Sequence, residues 1–365
     1  MAYVLTVVRL DADGFAEAEV VDYDSLEWTE SVAASGWSMS GSEELARQMQ
    51  NSGGIAITDT ETGRTWSGHV VDPARQSGDV GRIVGNSDLC LLAQVIPHPS
   101  PIDLNVATQS HDVITGTAGA AIADLIDRNA GPTAHASRER GWTITETNVA
   151  GTPATTIRAR WTPNLLEWVQ RKAVPNGVTV EIVADTDAGG HAVTVRGATT
   201  VDVVFAEELL SMLEWAWSER PPTATHVYAA GTGTGTARVV RFSSAADGFI
   251  REQFLDRRNI TDTAELDQEI VEALEAGRRK ISLTAQLTDR TGARYGTDFL
   301  LGDLVRLWVG DVEIVEPVTE VRCKATPAGV DRYLTVGFGP VDPSQRGRVE
   351  ARRTAARLDD IEGAQ

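Results

Sequence analysis

The chain contains very little cysteine and no long apolar run. Only two of its 365 residues are cysteines, Cys90 and Cys323, and each stands in an apolar or strand-like stretch far from the other. We therefore expect two reduced, packed cysteines rather than a disulfide. The first residues lack the basic stretch of a signal peptide, and the apolar runs are only as long as strands. These absences favour a soluble protein that is made in a cytoplasm and has no membrane anchor.

Basic side chains are scarce relative to acidic ones. The chain has 33 Lys and Arg residues against 52 Asp and Glu residues, which gives a formal net charge of −19. Proteins that bind the phosphates of nucleic acids need clustered Lys and Arg, so tight binding to DNA or RNA is not expected. A negative surface repels passing DNA and keeps it from adhering.

The spacing patterns of common catalytic and metal sites are also missing. No histidine stands three or four residues from another, and neither cysteine has a His or Cys at metal-ligand spacing, although ligands could still converge from distant parts of the chain. There is no Gly-x-Ser-x-Gly motif around a nucleophilic serine. We therefore predict no catalytic residues, no metal site and no cofactor. The histidines are His69, His98, His111, His135, His191 and His226.

Three short motifs resemble ligand-binding loops. The Gly/Thr alternation of Gly231–Thr236 lacks the Gly-Lys-Ser/Thr ending of a phosphate loop and precedes a strand, so it predicts a loop between strands. The stretches Asp11–Gly14 and Asp185–Gly190 begin like calcium loops but lack the closing Glu. Hairpin turns explain both of them.

Residues 1–96 predict a domain of short strands that resembles a barrel. Ser42 is expected to cap a short helix, with Glu43 and Glu44 favourably placed in its first turn. Asp88 starts a helical turn that stops before a proline cluster beginning at Pro97. Alternating apolar residues indicate strands at 3–10, 15–21, 25–30, 36–40, 55–60, 65–71 and 80–85.

Residues 97–196 predict a middle domain of α+β type. One helix is expected at 115–129, and a second is expected to begin at Thr162-Pro163, with Thr162 as its cap. Leu165, Leu166 and Trp168 lie on the apolar face of the second helix. Strands are expected at 142–147, 155–160, 178–183 and 191–195.

The last part of the chain returns to strands around the stretch 294–309. Arg294–Leu301 is predicted as a strand, Gly302-Asp303 as a hairpin turn, and the alternation that follows as a second strand. An amphipathic helix is expected at 262–279. Further strands are expected at 201–205, 225–230, 237–242, 280–287, 312–316, 318–324 and 333–338, with an extended segment at 248–255.

The amino-acid sequence of several stretches resembles that of the tail-hub proteins of long-tailed phages, the siphoviruses. These proteins are related to the hubs of contractile tails and to the amino-terminal part of tail-associated lysins. The pattern Tyr…Phe-x-Leu-Gly-Asp-x-Val at 295–305 resembles them. The segment that ends at Pro97 matches only in part, because Gln94 stands where the family often has Arg. Other similar stretches follow in family order along nearly the whole chain: Tyr23–Trp28, Gly36–Met39, Leu92–Pro97, Thr115–Ile122, Val201–Phe205, Thr225–Gly231 and Ile250–Asp256.

The resemblance implies a mainly β fold with α+β insertions. Two small antiparallel β-barrel domains are expected at 1–96 and at 197–340, the second discontinuous and made of 197–236 plus 282–340. The α+β middle domain is expected at 97–196, and residues 237–281 are a further segment that could join it. From their composition, residues 341–365 are expected to form a charged helix or arm at the carboxyl end. Three chains with two barrels each would give a pseudo-sixfold ring that adapts a sixfold tail tube to a threefold tip.

The resemblance further implies a structural protein of the virion tail tip that is not an enzyme. Its expected partners are two further copies in a homotrimer, the distal tail protein, the tape measure protein, and tail fibre or tip proteins, with viral DNA passing without specific binding. Relatives often carry a wall-degrading domain after the hub, but only residues 341–365 follow here, so none is expected. A tail-tip cell-wall hydrolase and a carbohydrate-binding protein that uses Trp215 and Trp217 remain alternatives. A phage hub and the hub of a phage-derived injection particle are not distinguished.

Overall fold

The computed structural model describes ten stretches of the chain: 5–75, 80–105, 111–161, 164–206, 212–245, 250–258, 260–287, 293–309, 312–327 and 329–337. These residues contain twenty-one strands and four α-helices, so the expected mainly β fold is confirmed. The chain divides into two compact units. The first consists of Met1–Trp215 and Ala285–Val336, and the second of Ala216–Thr284 and Gly337–Gln365.

The strands are numbered in chain order. They are β1 (Leu5–Leu10), β2 (Ala16–Glu19), β3 (Tyr23–Ser31), β4 (Gly36–Ser42), β5 (Gly54–Asp59), β6 (Thr65–Arg75), β7 (Val80–Ser87), β8 (Asp112–Thr117), β9 (Trp142–Thr147), β10 (Ala154–Ala159), β11 (Val178–Ala184), β12 (His191–Gly197), β13 (Thr200–Ala206), β14 (Met212–Arg220), β15 (His226–Ala230), β16 (Val240–Ser244), β17 (Glu252–Asp256), β18 (Lys280–Leu287), β19 (Leu304–Val309), β20 (Val312–Thr326) and β21 (Gly329–Gly337). The α-helices are α1 (Glu43–Gln48), α2 (Ala118–Ala130), α3 (Leu165–Ala173) and α4 (Thr263–Gly277). Short 3₁₀ helices occupy Met49–Asn51, Asp88–Gln94, Val149–Gly151, Val174–Asn176 and Gly235–Ala237.

The first unit is built on a long, mostly antiparallel sheet. Its strands follow the order β21-β20-β3-β4-β7-β6-β5-β1-β2, and β19 pairs with both β20 and β13. The pairing of β3 with β20, which sets Trp28 opposite Cys323, joins the beginning of the chain to its end. Within the described stretches this path does not close on itself, so the two closed barrels implied by the resemblance are not seen.

Strand β20 replaces two predicted strands. Residues 312–316 and 318–324 were expected to be separate, but one 15-residue strand runs through both. Its first half pairs with β19, and its second half pairs with β3 and β21. The change of partner falls at Pro317 and at a register shift between Val318 and Glu320. Because Pro has no N–H for a ladder, it marks a natural place for the partners to change.

The middle of the first unit contains two small sheets covered by helices. One has the order β10-β8 and the other β11-β12-β9. Helix α2 buries Ile122, Leu125 and Ile126 in this core because these residues recur at helical spacing. The predicted start of this helix at 115 was wrong: residues 112–117 form β8, and the helix begins at Ala118.

Helix α3 begins later than predicted. Its cap is Asn164, whose side chain accepts a hydrogen bond from the Glu167 N–H, so the prediction of Thr162 as the cap was wrong. Thr162 and Pro163 themselves lie outside the described residues. The buried face of the helix contains Leu165, Leu166 and Trp168, as predicted.

The second unit pairs one helix with a three-stranded sheet. The strand order is β16-β15-β17, and the sheet packs against α4 through Leu266 and Ile270. Asp262 caps the helix by accepting a hydrogen bond from the Ala264 N–H at 2.9 Å. The predicted amphipathic helix at 262–279 is therefore confirmed, since α4 covers 263–277.

Residues 294–301 do not form the predicted strand. The Arg294 N–H donates to the Asp298 side chain at 2.8 Å, and the Gly296 N–H donates to the Phe299 carbonyl at 2.9 Å. A short polar side chain that bonds nearby backbone competes with a strand ladder. The apolar residues of this stretch are present because the stretch is buried and not because it is a strand. Tyr295 and Phe299 are almost fully buried. Gly302-Asp303 is likewise not a hairpin turn, because β19 pairs with β13 and β20.

Candidate functional site: a buried polar junction

The β11–β12 hairpin is the place where four groups of polar contacts meet. Its strands pair from Val178 opposite Gly197 to Ala184 opposite His191. Residues of this hairpin contact the β1–β2 turn, strand β6, the start of the 3₁₀ helix at Asp88, and the segment 294–303. We call these four groups of contacts the junction. All of them lie inside the first unit.

The first group surrounds Arg64, between β5 and β6. Its guanidinium donates from Nε and Nη2 to Glu30 Oε2, at 3.1 and 3.0 Å, and from Nη2 to Glu181 Oε1 at 2.8 Å. The Tyr295 hydroxyl donates to the same Glu30 oxygen at 2.6 Å. Arg64 Cζ also lies 5.1 Å from the centre of the Tyr295 ring, within the range of a cation–π contact.

The protonation of this group follows from its burial and charges. Burial raises the pKa of Tyr295 well above its usual value, so the phenol keeps its proton and remains a donor. Burial by itself lowers the pKa of Arg64, but the carboxylates of Glu30 and Glu181 outweigh burial and raise it above the ordinary value. Arg64 therefore stays cationic and binds strands β3 and β11 through their carboxylates.

The second group surrounds Asp88, which is only 2% exposed. The Ser67 hydroxyl donates to one carboxylate oxygen and itself accepts the Ala184 N–H at 2.8 Å. His69 Nδ1 lies 3.3 Å from Asp88 Oδ1, and His191 Nε2 lies 3.4 Å from Oδ2. Burial alone raises the pKa of Asp88, but hydrogen bonds from His191, His69 and Ser67 outweigh burial and hold it below the usual range. One buried carboxylate thus links β6, β12 and the 3₁₀ helix.

The third group surrounds Asp303, in the Leu-Gly-Asp motif. Arg196 donates one guanidinium N–H to Asp303 and another to the Leu301 carbonyl. The Thr199 N–H donates to Asp303 Oδ1 at 3.2 Å and the Leu300 N–H to Oδ2 at 2.8 Å. Asp303 therefore closes its own loop and holds β12 at the same time.

Gly302 is required at its position in this group. Its φ is +87°, in the left-handed region that side chains disfavour. A Cβ atom there would lie 1.9 Å from Thr179 Oγ1 on β11. The sequence singled out Gly302-Asp303 as a turn, but only the fold shows that this turn is pressed against the hairpin.

The fourth group brings together the two stretches that resembled calcium loops. Asp11 Oδ1 accepts the N–H groups of Asp13 and Phe15, each at 2.9 Å. Asp185 Oδ1 accepts the Asp187 and Ala188 N–H groups at 3.2 and 2.9 Å. Both stretches are therefore turns, as predicted. The Gly190 N–H donates to the Asp13 carbonyl at 2.7 Å, so the two turns also bind each other.

The other residues considered in the sequence do not join the junction. Cys90 and Cys323 are both free thiols, as expected, and burial raises the pKa of Cys323 above its usual range. Gly231–Thr236 lies between the paired strands β15 and β16, which confirms a loop between strands. The side chains of Trp215 and Trp217 lie outside the described residues.

Two other kinds of feature are absent from the described residues. In the described part of the chain, no three His, Cys, Asp or Glu side chains are grouped so that they could hold a metal ion. No helix in that part is both long and apolar enough to cross a membrane. The polar groups of the junction bind one another: arginine, histidine, hydroxyl and backbone donors bind its carboxylates. Such an arrangement holds chain segments in place.

Comparison with protein families finds a match over almost all of the chain. The matching family model is described as "Siphovirus ReqiPepy6 Gp37-like protein" and covers residues 8–339. No curated protein matches.

Solved structures with a similar fold are also found. The 43 kDa tail protein of prophage MuSo2 from Shewanella oneidensis is 13% identical, with a TM-score of 0.55 over 91% of this chain and 97% of that chain. The tail protein of Neisseria meningitidis MC58 is 10% identical, with a TM-score of 0.57 over 93% and 98%. Prophage tail protein gp18 of Listeria monocytogenes EGD-e is 9% identical, with a TM-score of 0.56 over 95% and 98%. At these identities the likeness concerns the fold alone.

Proposed function

Because this chain belongs to the Siphovirus ReqiPepy6 Gp37-like protein family, we propose that it is the hub protein of a phage tail tip. The family match over residues 8–339 confirms the resemblance to siphovirus tail proteins and is the observation that carries the proposal. The protein is thus a structural protein of a phage tail. Its role as a hub and its place at the tip are what we propose beyond this.

In the proposed assembly, three copies form a ring that joins a sixfold tail tube to a threefold tip. Each copy contributes two β domains, residues 1–96 and residues 197–236 with 282–340. The curvature of the main sheet supports such ring segments. Arg332 on β21 donates to Asp59 Oδ2 at the end of β5 at 2.7 Å, although five strands stand between them in the sheet order. A sheet whose distant strands approach this closely is strongly curved.

The junction fits a mechanical role in this ring. It ties residues 178–197 of the middle region to the strands of the curved sheet through buried charges. A buried ion pair is weak evidence for net stability because desolvation offsets its attraction. We propose that this network instead fixes where the middle region stands outside the ring.

The proposed partners follow from the position at the tip. The ring docks under the distal tail protein, contacts the tape measure protein and anchors fibre or tip proteins. The formal net charge of −19 suits a passage through which DNA moves without adhering. The protein acts by assembly and catalyses no reaction.

The native mass of the purified chain, measured by light scattering over a concentration series, tests this proposal. A trimer is expected because threefold closure is the main structural demand of the hub. A chain that is monomeric alone should become trimeric when the distal tail protein is added. A stable dimer, or a monomer that persists with the distal tail protein present, would overturn the proposal.

A further inference from the structure

A cleft opens in the middle region between strands β8 and β9. Its volume is about 480 Å³. Ile114 and Gly116 of β8 line one side, and Ile144 and Glu146 of β9 line the other. Helix α2 forms its floor through small residues that include Ala120 and Ala121. The cleft lies apart from the junction, and neither the hub role nor the predicted ring uses it.

Both walls of the cleft are edges of sheets. In the sheets of the described residues, β8 pairs only with β10 and β9 pairs only with β12. Among the described residues, the backbone groups of 113–116 and 143–146 that face the cleft have no partner in a strand pair or in a loop hydrogen bond. An edge strand presents a row of N–H and C=O groups that is ready to pair with another chain. Two such edges face one cleft here.

The length of the two walls suits one extended segment. Each wall strand has six residues. At about 3.3 Å per residue, each edge is about 20 Å long, which matches a strand of five or six residues. Helix α2 packs against both β8 and β9, so an added strand would rest on the same helix as its neighbours.

The side chains of the cleft indicate what the segment carries. Ile114 and Ala121 are buried and apolar, so the face toward α2 accepts a small apolar side chain. Asp124 is already paired with Arg128, with 2.7 Å between the charged atoms. Glu146 is exposed and forms no ion pair among the described residues. A basic side chain on the incoming segment would give Glu146 its partner.

We propose that this cleft receives an extended segment of another tail protein, which adds as a strand between β8 and β9. The segment places an apolar side chain over the α2 alanines and a Lys or Arg toward Glu146. It would merge the sheets β10-β8 and β9-β12-β11 into one six-stranded sheet. Such strand addition takes its affinity from main-chain hydrogen bonds and its specificity from alternate side chains. The proposal rests on the proposed function only in that the donor is a tail protein.

Electron cryo-microscopy of assembled tails tests the proposal directly. We expect a sixth strand, from a different polypeptide, hydrogen-bonded to both β8 and β9. An empty cleft, direct pairing of β8 with β9, or a segment of this chain or of a second copy in the cleft would overturn it. A ring with an empty cleft would leave the proposed function intact. Absence of this chain from the tip would overturn the proposed function instead.

A matched pair of variants gives a second test. Gly116→Phe places a ring in the cleft, where an added Cβ meets no atom within 4 Å, so the isolated chain should keep its melting temperature. Thr143→Phe puts the same ring on the exposed outer side of β9 and serves as the control. We expect Gly116→Phe tails to lose the strand-donating protein by about tenfold or more, and Thr143→Phe tails to keep it. If Gly116→Phe tails of an otherwise stable chain keep their full set of proteins, the proposal fails.

Discussion

The two units of this protein place their charges in opposite ways. In the first unit, Arg64, Arg196, Asp88 and Asp303 are largely buried and bind partners far away in the sequence. Arg64 reaches Glu181, 117 residues away, and Arg196 reaches Asp303, 107 residues away.

The second unit is built on a small apolar core instead. Val227, Leu255, Leu266 and Ile270 lie between its sheet and α4. Its ion pairs are more exposed than those of the junction, as in the pair of Arg241 with Asp267, where both side chains are almost half exposed.

The difference illustrates that the effect of losing a charged residue on stability depends on the burial of its ion pair and not on the number of pairs. An exposed pair is screened by water and salt and contributes about 0–1 kcal/mol. A buried pair that loses one partner leaves an uncompensated charge, which costs about 3–5 kcal/mol. The first unit should therefore depend on single charged residues, whereas the second should tolerate their loss.

The largest effect is expected from removing a junction carboxylate. Asp303→Ala leaves Arg196 buried without its carboxylate and should lower the free energy of unfolding of the first unit by about 3–5 kcal/mol. Asp267→Ala, the same change at the surface of the second unit, should cost below about 1 kcal/mol. Hydrogen exchange followed by mass spectrometry reports the two units separately. Equal losses in both units would break the comparison.

A somewhat smaller effect is expected at Gly302. Gly302→Ala combines a left-handed φ with a clash against Thr179 Oγ1. We expect it to destabilise the first unit by about 2–4 kcal/mol, as overpacking and backbone strain add together. Denaturant unfolding measures the change.

Gly63 provides the matched control for this substitution. Its φ is +69°, but nothing lies within 4 Å of an added Cβ. Gly63→Ala should therefore show only the backbone cost of about 1 kcal/mol. A Gly302→Ala variant no worse than Gly63→Ala would mean that the Leu-Gly-Asp loop does not press on the hairpin.

Acid should act on the first unit through Asp88. Its pKa is lower in the folded chain than the usual value of about 3.9, so its charge stabilises the fold above that pH. The contribution is lost as the pH falls through the lower folded value. The wild type should therefore lose stability more steeply below about pH 4 than Asp88→Asn, as unfolding curves at a series of pH values would show. Parallel curves for the two proteins would contradict this role.

The smallest effect is expected at the cap of α4 in the second unit. Asp262→Ala removes the acceptor for the Ala264 N–H and should destabilise this unit by about 1 kcal/mol. Asp262→Asn keeps a capping oxygen and should cost less. Exchange rates of the first turn of α4 would measure both. A loss as large as that of Asp303→Ala would show that the second unit also depends on single polar residues.

Local features were the easiest to predict. The Ser42 cap of α1, the amphipathic helix α4 and the Asp11 and Asp185 turns all follow from interactions within a few residues, and all are present. The stretch 294–301 misled because its apolar residues fit a strand as well as a buried turn. The choice between them depends on the Asp298 side chain bonding the Arg294 N–H, which competes with strand pairing.

The junction could not be predicted from the sequence. Nothing in the spacing of the histidines connects His69 with His191, since 122 positions separate them along the chain. The fold brings both of them to Asp88. Glu30 and Arg64 belong to no motif, and Tyr295 stood out only as the first residue of the pattern at 295–305, with no indication of the partner it would meet.

By itself, the sequence determined the β-rich character of this protein, the positions of most strands and helices, and its similarity to phage tail proteins. These features follow from the alternation of apolar and polar residues, from helix-capping residues and from short sequence motifs. All of these involve residues that are close together along the chain. The tertiary structure alone decided that β3 pairs with β20, that Gly302 meets Thr179, and that two open edges face one cleft. Such contacts join residues far apart in the chain, and local periodicity contains no information about which distant partner a buried group will meet.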